Sequence, residues 1–113
     1  MENNKIYFTL VGEHLFYGHS ILEKGMELTL VKNPNNEYDP ETIEIKVAGL
    51  GQIGYVANSV TTRKGVSYSA GRLVDKIENN TCAIIEYVLS YGAICSLKGE
   101  VVNWKEDKFP SMR

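Results

Sequence analysis

Of the 113 residues, two are cysteine (Cys82 and Cys95) and two are histidine (His14 and His19). They form no CxxC unit, and structural zinc sites usually present two close-spaced ligand pairs, so no metal centre is indicated. Both cysteines lie in apolar segments and read as small buried hydrophobes; a reducing compartment argues against a disulfide. No apolar run approaches the ~20 residues needed to cross a bilayer. The start, MENNKIYFTLVGEH, lacks a basic stretch followed by a long apolar one. A cytoplasmic protein with no membrane association is therefore expected. A surplus of positive charge is missing as well, because 12 basic residues stand against 14 acidic ones. That balance argues against broad, non-specific nucleic-acid binding, which depends on neutralising many phosphates. It leaves room for a small site with a few local cations.

Catalytic patterns are equally scarce. No GxSxG elbow accompanies the two histidines, and a nucleophile needs a base within reach. Nothing singles out a carboxylate pair for glycoside chemistry. The run GLGQIG does not spell GxGxxG, and no helix pattern follows it, so no dinucleotide cofactor is expected. A nuclease or phosphatase would want clustered metal ligands, which the chain does not show. A binding protein without a cofactor is the better expectation.

What is present is β-forming sequence. Residues 5–11 are dense in strand formers, from Ile6 to Val11. Met26, Leu28 and Leu30 alternate with Glu27 and Thr29, and Ile43, Ile45 and Val47 alternate with Glu44 and Lys46, each as a half-buried strand does. The glycines of AGLGQIGYV suggest a tight hairpin, with residues 52–56 as the returning strand. Residues 82–89, 93–97 and 100–104 complete the β content, with Tyr91-Gly92 as a turn. Between them, Ala70, Leu73, Val74 and Ile77 fall at i, i+3, i+4 and i+7, the stripe of one amphipathic helix within residues 67–78. Ser67 or Ser69 is placed to cap its start, and Asn79-Asn80 to stop it. Leu73 and Ile77 should then be buried, with Arg72 and Lys76 solvated. The expected fold is mainly β, a small barrel of six or seven short strands with one helix, since closure removes exposed edges. An open α+β sheet under one helix is the alternative. One domain over residues 1–104 and a loose tail over 105–113 are expected.

The segment NPNNEYDP, residues 33–40, must be a loop. Asn33, Asn35, Asn36 and Asp39 can stabilise its turns through their own side chains. Tyr38 sits in it away from any strand alternation, and pattern alone favours core filler slightly over a stacking platform. Leu15, Phe16 and Tyr17, between glycines, pose the same choice. Loop aromatics on an extended β protein are also how single-strand binding sites are built, because every base offers a π-face.

VGEHLFYG, then NPNNEYDPETIEI, then GQIGYVANS, in that order, resemble the HIRAN domain, and the resemblance runs from about Tyr7 to about Leu97. The asparagine-rich loop ending in Tyr-Asp is its most specific piece. The family occurs fused to SNF2-type remodelling helicases and as a stand-alone bacterial domain; the length here fits the stand-alone kind. The resemblance implies an OB-like barrel that holds the 3′ end of single-stranded DNA. By it, Tyr38 positions or stacks on the terminal nucleotide and Asp39 accepts from the free 3′-hydroxyl, while Phe16 or Tyr17 supports a base. The family's basic residue followed by two aromatics reads here as His14, Leu15, Phe16, with Tyr17 one place later. A permanent cation has thus become a histidine, mostly neutral at pH 7. Lys32 matches a basic position before the loop, Tyr55 stands where a histidine can occur, and Glu37 replaces the proline usual before Tyr-Asp. Lys46, Arg63 and Lys64 are further candidates for phosphate contacts. Each lost cation removes a phosphate contact, so salt dependence should be shallow. A protein-interaction module that kept the barrel but lost the nucleic-acid site is the rival reading, and the acidic balance favours it.

Overall fold

Alternating apolar residues turn one face of each strand inward, and six strands close around that face. The computed structural model describes residues 5–58 and 67–98. Its strands are β1 (Tyr7–Val11), β2 (Glu27–Lys32), β3 (Ile43–Val47), β4 (Gly51–Val56), β5 (Thr81–Val88) and β6 (Ala93–Leu97). Every neighbouring pair is antiparallel, in the order β1-β4-β3-β2-β5-β6, and β6 pairs with β1 to close the barrel. β2, β3 and β4 form a meander and β5 returns to lie beside β2, which makes β2–β5 a Greek key. The expected closed barrel is therefore found, rather than the open sheet. The expected strand at 100–104 and the tail at 105–113 lie outside the described residues.

The core consists of Phe8, Leu10, Leu28, Leu30, Ile43, Ile45, Ile53, Leu73 and Ile85, all buried, with smaller residues such as Ala83 and Cys95 between them. Each large side chain so buried contributes roughly 1.5–3 kcal/mol before conformational entropy is set against it. Two bulges interrupt the alternation. Between β3 and β4 the pairs Ile45–Gly54 and Lys46–Gln52 leave Ile53 unpaired, so Ile53 and Gly54 are buried in succession. Between β5 and β6, Ile85 pairs with Cys95 and Tyr87 with Ile94, leaving Glu86 as the extra residue. Bulges sharpen the local bend, as closing a barrel from short strands requires.

The long β4–β5 connection carries α1 (Ala70–Leu73) against the barrel. Ser69 caps it, its hydroxyl accepting from the Arg72 amide at 3.3 Å. The helix is a single turn, shorter than the periodic stripe predicted. Gly71 lies inside it, and isolated helices this short do not sustain themselves. The chain nevertheless keeps turning through residues 74–76, so Ala70, Leu73 and Ile77 are all buried as the stripe required. Arg72 is exposed but not merely solvated, since its guanidinium lies 4.6 Å from the centre of the Tyr68 ring; Lys76 is half-buried. Asn80 ends the segment at φ 66°, a left-handed conformation that asparagine tolerates.

Cys95 is buried as expected, but Cys82 is exposed. The two differ because Cys95 lies on the inward face of β6, whereas Cys82 alternates with buried Ala83 on β5 and so points outward. Leu15, the first residue of the stretch Leu15-Phe16-Tyr17 read from sequence, closes a one-turn 3-10 helix (Glu13–Leu15) behind Gly12, which has φ 77°.

Candidate functional site

The loop between β2 and β3 is shaped by short polar side chains bonded to nearby backbone, the local chemistry for which Asn and Asp are suited. Asn36 Oδ1 accepts from the amides of Tyr38 at 2.8 Å and Asp39 at 3.0 Å. Asp39 Oδ1 accepts from the Glu41 amide at 2.9 Å. The Asp39 carbonyl accepts from the Thr42 hydroxyl at 2.6 Å and the Thr42 amide at 3.1 Å. At the loop's base the Asn33 amide donates to the Thr42 carbonyl at 2.9 Å. The backbone is thus held while the Tyr38 side chain is left 87% exposed, which rules out the core-filler reading of that residue.

Tyr38 and Asp39 open onto a pocket of about 250 Å³, shared with Tyr55 from β4 and Asn58 just beyond it, over Val56 and Ala70. The Tyr55 ring packs on Phe16 with centroids 5.6 Å apart and planes tilted by 59°, a favourable geometry for an aromatic pair. Gly12 lies against the same ring. A Cβ there would come within 3.1 Å of it, and the backbone φ of 77° already disfavours a side chain. Among the described residues, charge beside the pocket is mainly acidic. Asp39 and Glu41 both accept from Asn58, and Glu44 accepts from Asn33 at 2.8 Å. Lys46 is turned to Glu44, 3.7 Å away. Such a site offers flat apolar faces beside hydrogen-bond acceptors, and so suits a ligand carrying a ring and a hydroxyl donor.

The model of the HIRAN domain matches residues 3–92 of the sequence. The chain belongs to the HIRAN family. HIRAN domains are nucleic-acid-binding modules rather than enzymes. The crystal structure of the HIRAN domain of human HLTF resembles this barrel with a TM-score of 0.56 at 14% identity, over 82% of this chain and 74% of that one. A protein from Lactobacillus plantarum resembles it with a TM-score of 0.53 at 19% identity, over 85% and 98% of the respective chains. At such identities the likeness is one of fold. No curated protein matches the sequence.

Of the residues singled out from sequence, this HIRAN barrel brings Tyr38, Asp39 and Tyr55 to one pocket, with Phe16 behind Tyr55. The others lie elsewhere. Tyr17 is half exposed and donates its hydroxyl to the Leu50 carbonyl at 2.7 Å, at the β3–β4 turn. His14 is exposed on the 3-10 turn and does not line the pocket. Lys32 ends β2, its amide bonded to Asn79 Oδ1 at 2.6 Å. Arg63 and Lys64 lie outside the described residues. Sequence reasoning missed Asn58 and Glu13. The Glu13 carboxylate is buried, accepts from the Gly92 amide at 2.5 Å and lies 3.2 Å from His19 Nδ1, tying the turn that carries Phe16 to the β5–β6 hairpin. A single polar letter in one dimension gave no sign of either role. Among the described residues no helix is long and apolar enough to cross a membrane, and no group of three or more His, Cys, Asp or Glu side chains could hold a metal ion.

Proposed function

We propose that this HIRAN domain is a cytoplasmic binding module, without chemistry of its own, for the free 3′ end of single-stranded DNA. The observation that carries the reading is the convergence of an 87% exposed Tyr38, the Asp39 carboxylate and Tyr55 on one pocket. The aromatic faces take a terminal base, and stacking is indifferent to base identity. The Asp39 carboxylate accepts from the terminal hydroxyl, a donor that an internal phosphodiester lacks. Its negative charge also repels a terminal phosphate. Phe16 fixes the plane of Tyr55. Lys32, His14 and Tyr17 stand off the pocket, where they can serve only the strand leading into it.

Fluorescence anisotropy with a short labelled oligonucleotide ending in a 3′-hydroxyl or a 3′-phosphate tests this. Tighter binding of the hydroxyl end is expected, with a shallow dependence on salt because few cations among the described residues flank the site. Equal binding of both ends would overturn the end-reading. A second reading, a protein-interaction module on the same barrel, draws on the carboxylates of Glu37, Asp39 and Glu41 around the loop and on the chain's net charge of −2. Absence of any oligonucleotide binding at low salt would favour it.

A further inference from the structure

Asn58 follows β4, and both ends of its side-chain amide are engaged. Its Oδ1 accepts from the Gly71 amide in α1 at 2.8 Å. Its Nδ2 donates to Asp39 Oδ2 at 3.1 Å and to Glu41 Oε1 at 3.0 Å. The Gly71 N–H decides the orientation, since it needs an acceptor and the amide nitrogen is a donor only. The two Nδ2 protons therefore face two carboxylates, one each. Asp39 has its other oxygen on the Glu41 amide at 2.9 Å, so its carboxylate plane is held from both sides. Gly71 leaves room for this arrangement; a Cβ there would stand 2.6 Å from Glu41 Oε1 and 3.2 Å from Asn58 Oδ1.

We infer that Asn58 is the positioning residue of this site. By sharing one amide between Asp39, which lines the pocket, and Glu41, which stands behind its lining, it holds two carboxylates side by side, so that a terminal hydroxyl is accepted and a terminal phosphate rejected. The inference rests on the 3′-end reading above, and it makes Glu41 a second determinant of end specificity. Without the bridging donor, two like charges this close would separate, and Asp39 would lose its fixed aim.

Asn58→Asp keeps an acceptor for the Gly71 amide but replaces the two donors with a third carboxylate, whereas Asn58→Ala removes both functions. Glu41→Gln alters the exposed partner alone. The affinity ratio between 3′-hydroxyl and 3′-phosphate oligonucleotides is measured by anisotropy, with hydrogen exchange of the Gly71 amide alongside. N58D is expected to keep the Gly71 amide protected yet lose hydroxyl affinity about tenfold, the size of one charge-assisted hydrogen bond. E41Q is expected to bind the phosphate end about threefold better and so to narrow the ratio between the two ends, as removal of one like charge at a partly solvated site allows. A merely structural Asn58 would lose Gly71 protection and both affinities in parallel, and that result overturns the inference. A wild-type ratio in both N58D and E41Q overturns it too, while the end-reading stands. Equal binding of the two ends by the wild type fells both. Should N58D fail to fold, E41Q decides.

Discussion

Leu28 and Leu30 on β2 lie beside Ile43 and Ile45 on the neighbouring β3, all on the inner face of a sealed wall. Some residues further along the chain, Asn33, Asn36 and Asp39 hold a loop in shape by bonding to backbone and neighbouring side chains. The barrel wall is fixed by volume, through many weak, undirected contacts. The rim is fixed by direction, through few bonds that each contribute only about 0.5–1.5 kcal/mol net. A wall built by volume tolerates changes on its outer face. A rim built by direction can aim a carboxylate and leave a tyrosine in water, at the cost of depending on single atoms.

The two cysteines give this contrast its largest expected effect. Burial pushes the Cys95 thiol well above its ordinary value, and Cys95 is fully covered, while Cys82 is exposed. Iodoacetamide should label Cys82 readily in the native protein and Cys95 only through unfolding. For a domain stable by about 5 kcal/mol, the open state is populated on the order of 10⁻⁴, so labelling rates should differ by ~10³-fold or more. Mass spectrometry finding comparable rates would mean that β6 opens locally and that the wall is not one unit.

Next comes the core contact of the one helical turn. Leu73 is fully buried, so Leu73→Ala should cost about 2–5 kcal/mol in chemical denaturation. The folded fraction should still prefer a 3′-hydroxyl end, because volume and direction are separate devices. A loss under about 0.5 kcal/mol would show that the turn rests on the barrel without filling it.

Tyr38 and Asp39 are adjacent, yet the proposed reading gives them separate roles. Tyr38→Ala should weaken oligonucleotide binding by ~1–3 kcal/mol and leave stability within about 0.5 kcal/mol, since its side chain is 87% exposed. Asp39→Ala should remove most of the end preference, a loss of about 1.5–3 kcal/mol, and leave the smaller share assigned to Glu41. It should also destabilise the fold by roughly 1 kcal/mol, because its carboxylate caps the Glu41 amide and holds Asn58. Equal melting temperatures for the two variants would contradict the view that the rim is held by Asp39.

The wall was readable from one dimension because burial with period 2 writes itself into the letters, as in Ile43-Glu44-Ile45. Asn36 was readable as a turn former, and Tyr38-Asp39 through the family likeness. Asn58 was not, since its partners Asp39 and Gly71 lie 19 and 13 residues away and an isolated asparagine carries no period. The shortness of α1 was hidden for a related reason: the stripe reports which side chains are buried, and Ile77 is buried without being helical. Cys82 was misjudged because an apolar segment was read as a whole, when strand alternation assigns each of its residues to a face.

Glu86 tests the comparison from the other side, as a polar device set into the wall. It is the extra residue of the β5–β6 bulge, and its carboxylate accepts from the Ser96 hydroxyl at 2.6 Å and from Lys5 Nζ at 2.8 Å. The hydrogen bond from Lys5, then that from Ser96, holds its carboxyl below the ordinary value of 4.5, and the same bond raises Lys5 above 10.5. A carboxyl depressed in the folded state adds stability that is present above its unfolded value and lost as pH falls through the folded one. For Lys5 the sense is opposite, its share being lost only as pH rises past 10.5. Glu86→Gln keeps an acceptor for Ser96 and removes the charge, so at neutral pH it should lower Tm by about 1–4 °C. The difference from wild type should shrink below pH 4.5 and vanish once the wild-type carboxyl is protonated, and added salt should shrink it at neutral pH as well. Thermal melts of both proteins between pH 3 and pH 8 decide the matter. A difference that persists undiminished at pH 3 would mean that Glu86 acts by filling the bulge, and that the wall is governed by volume even there.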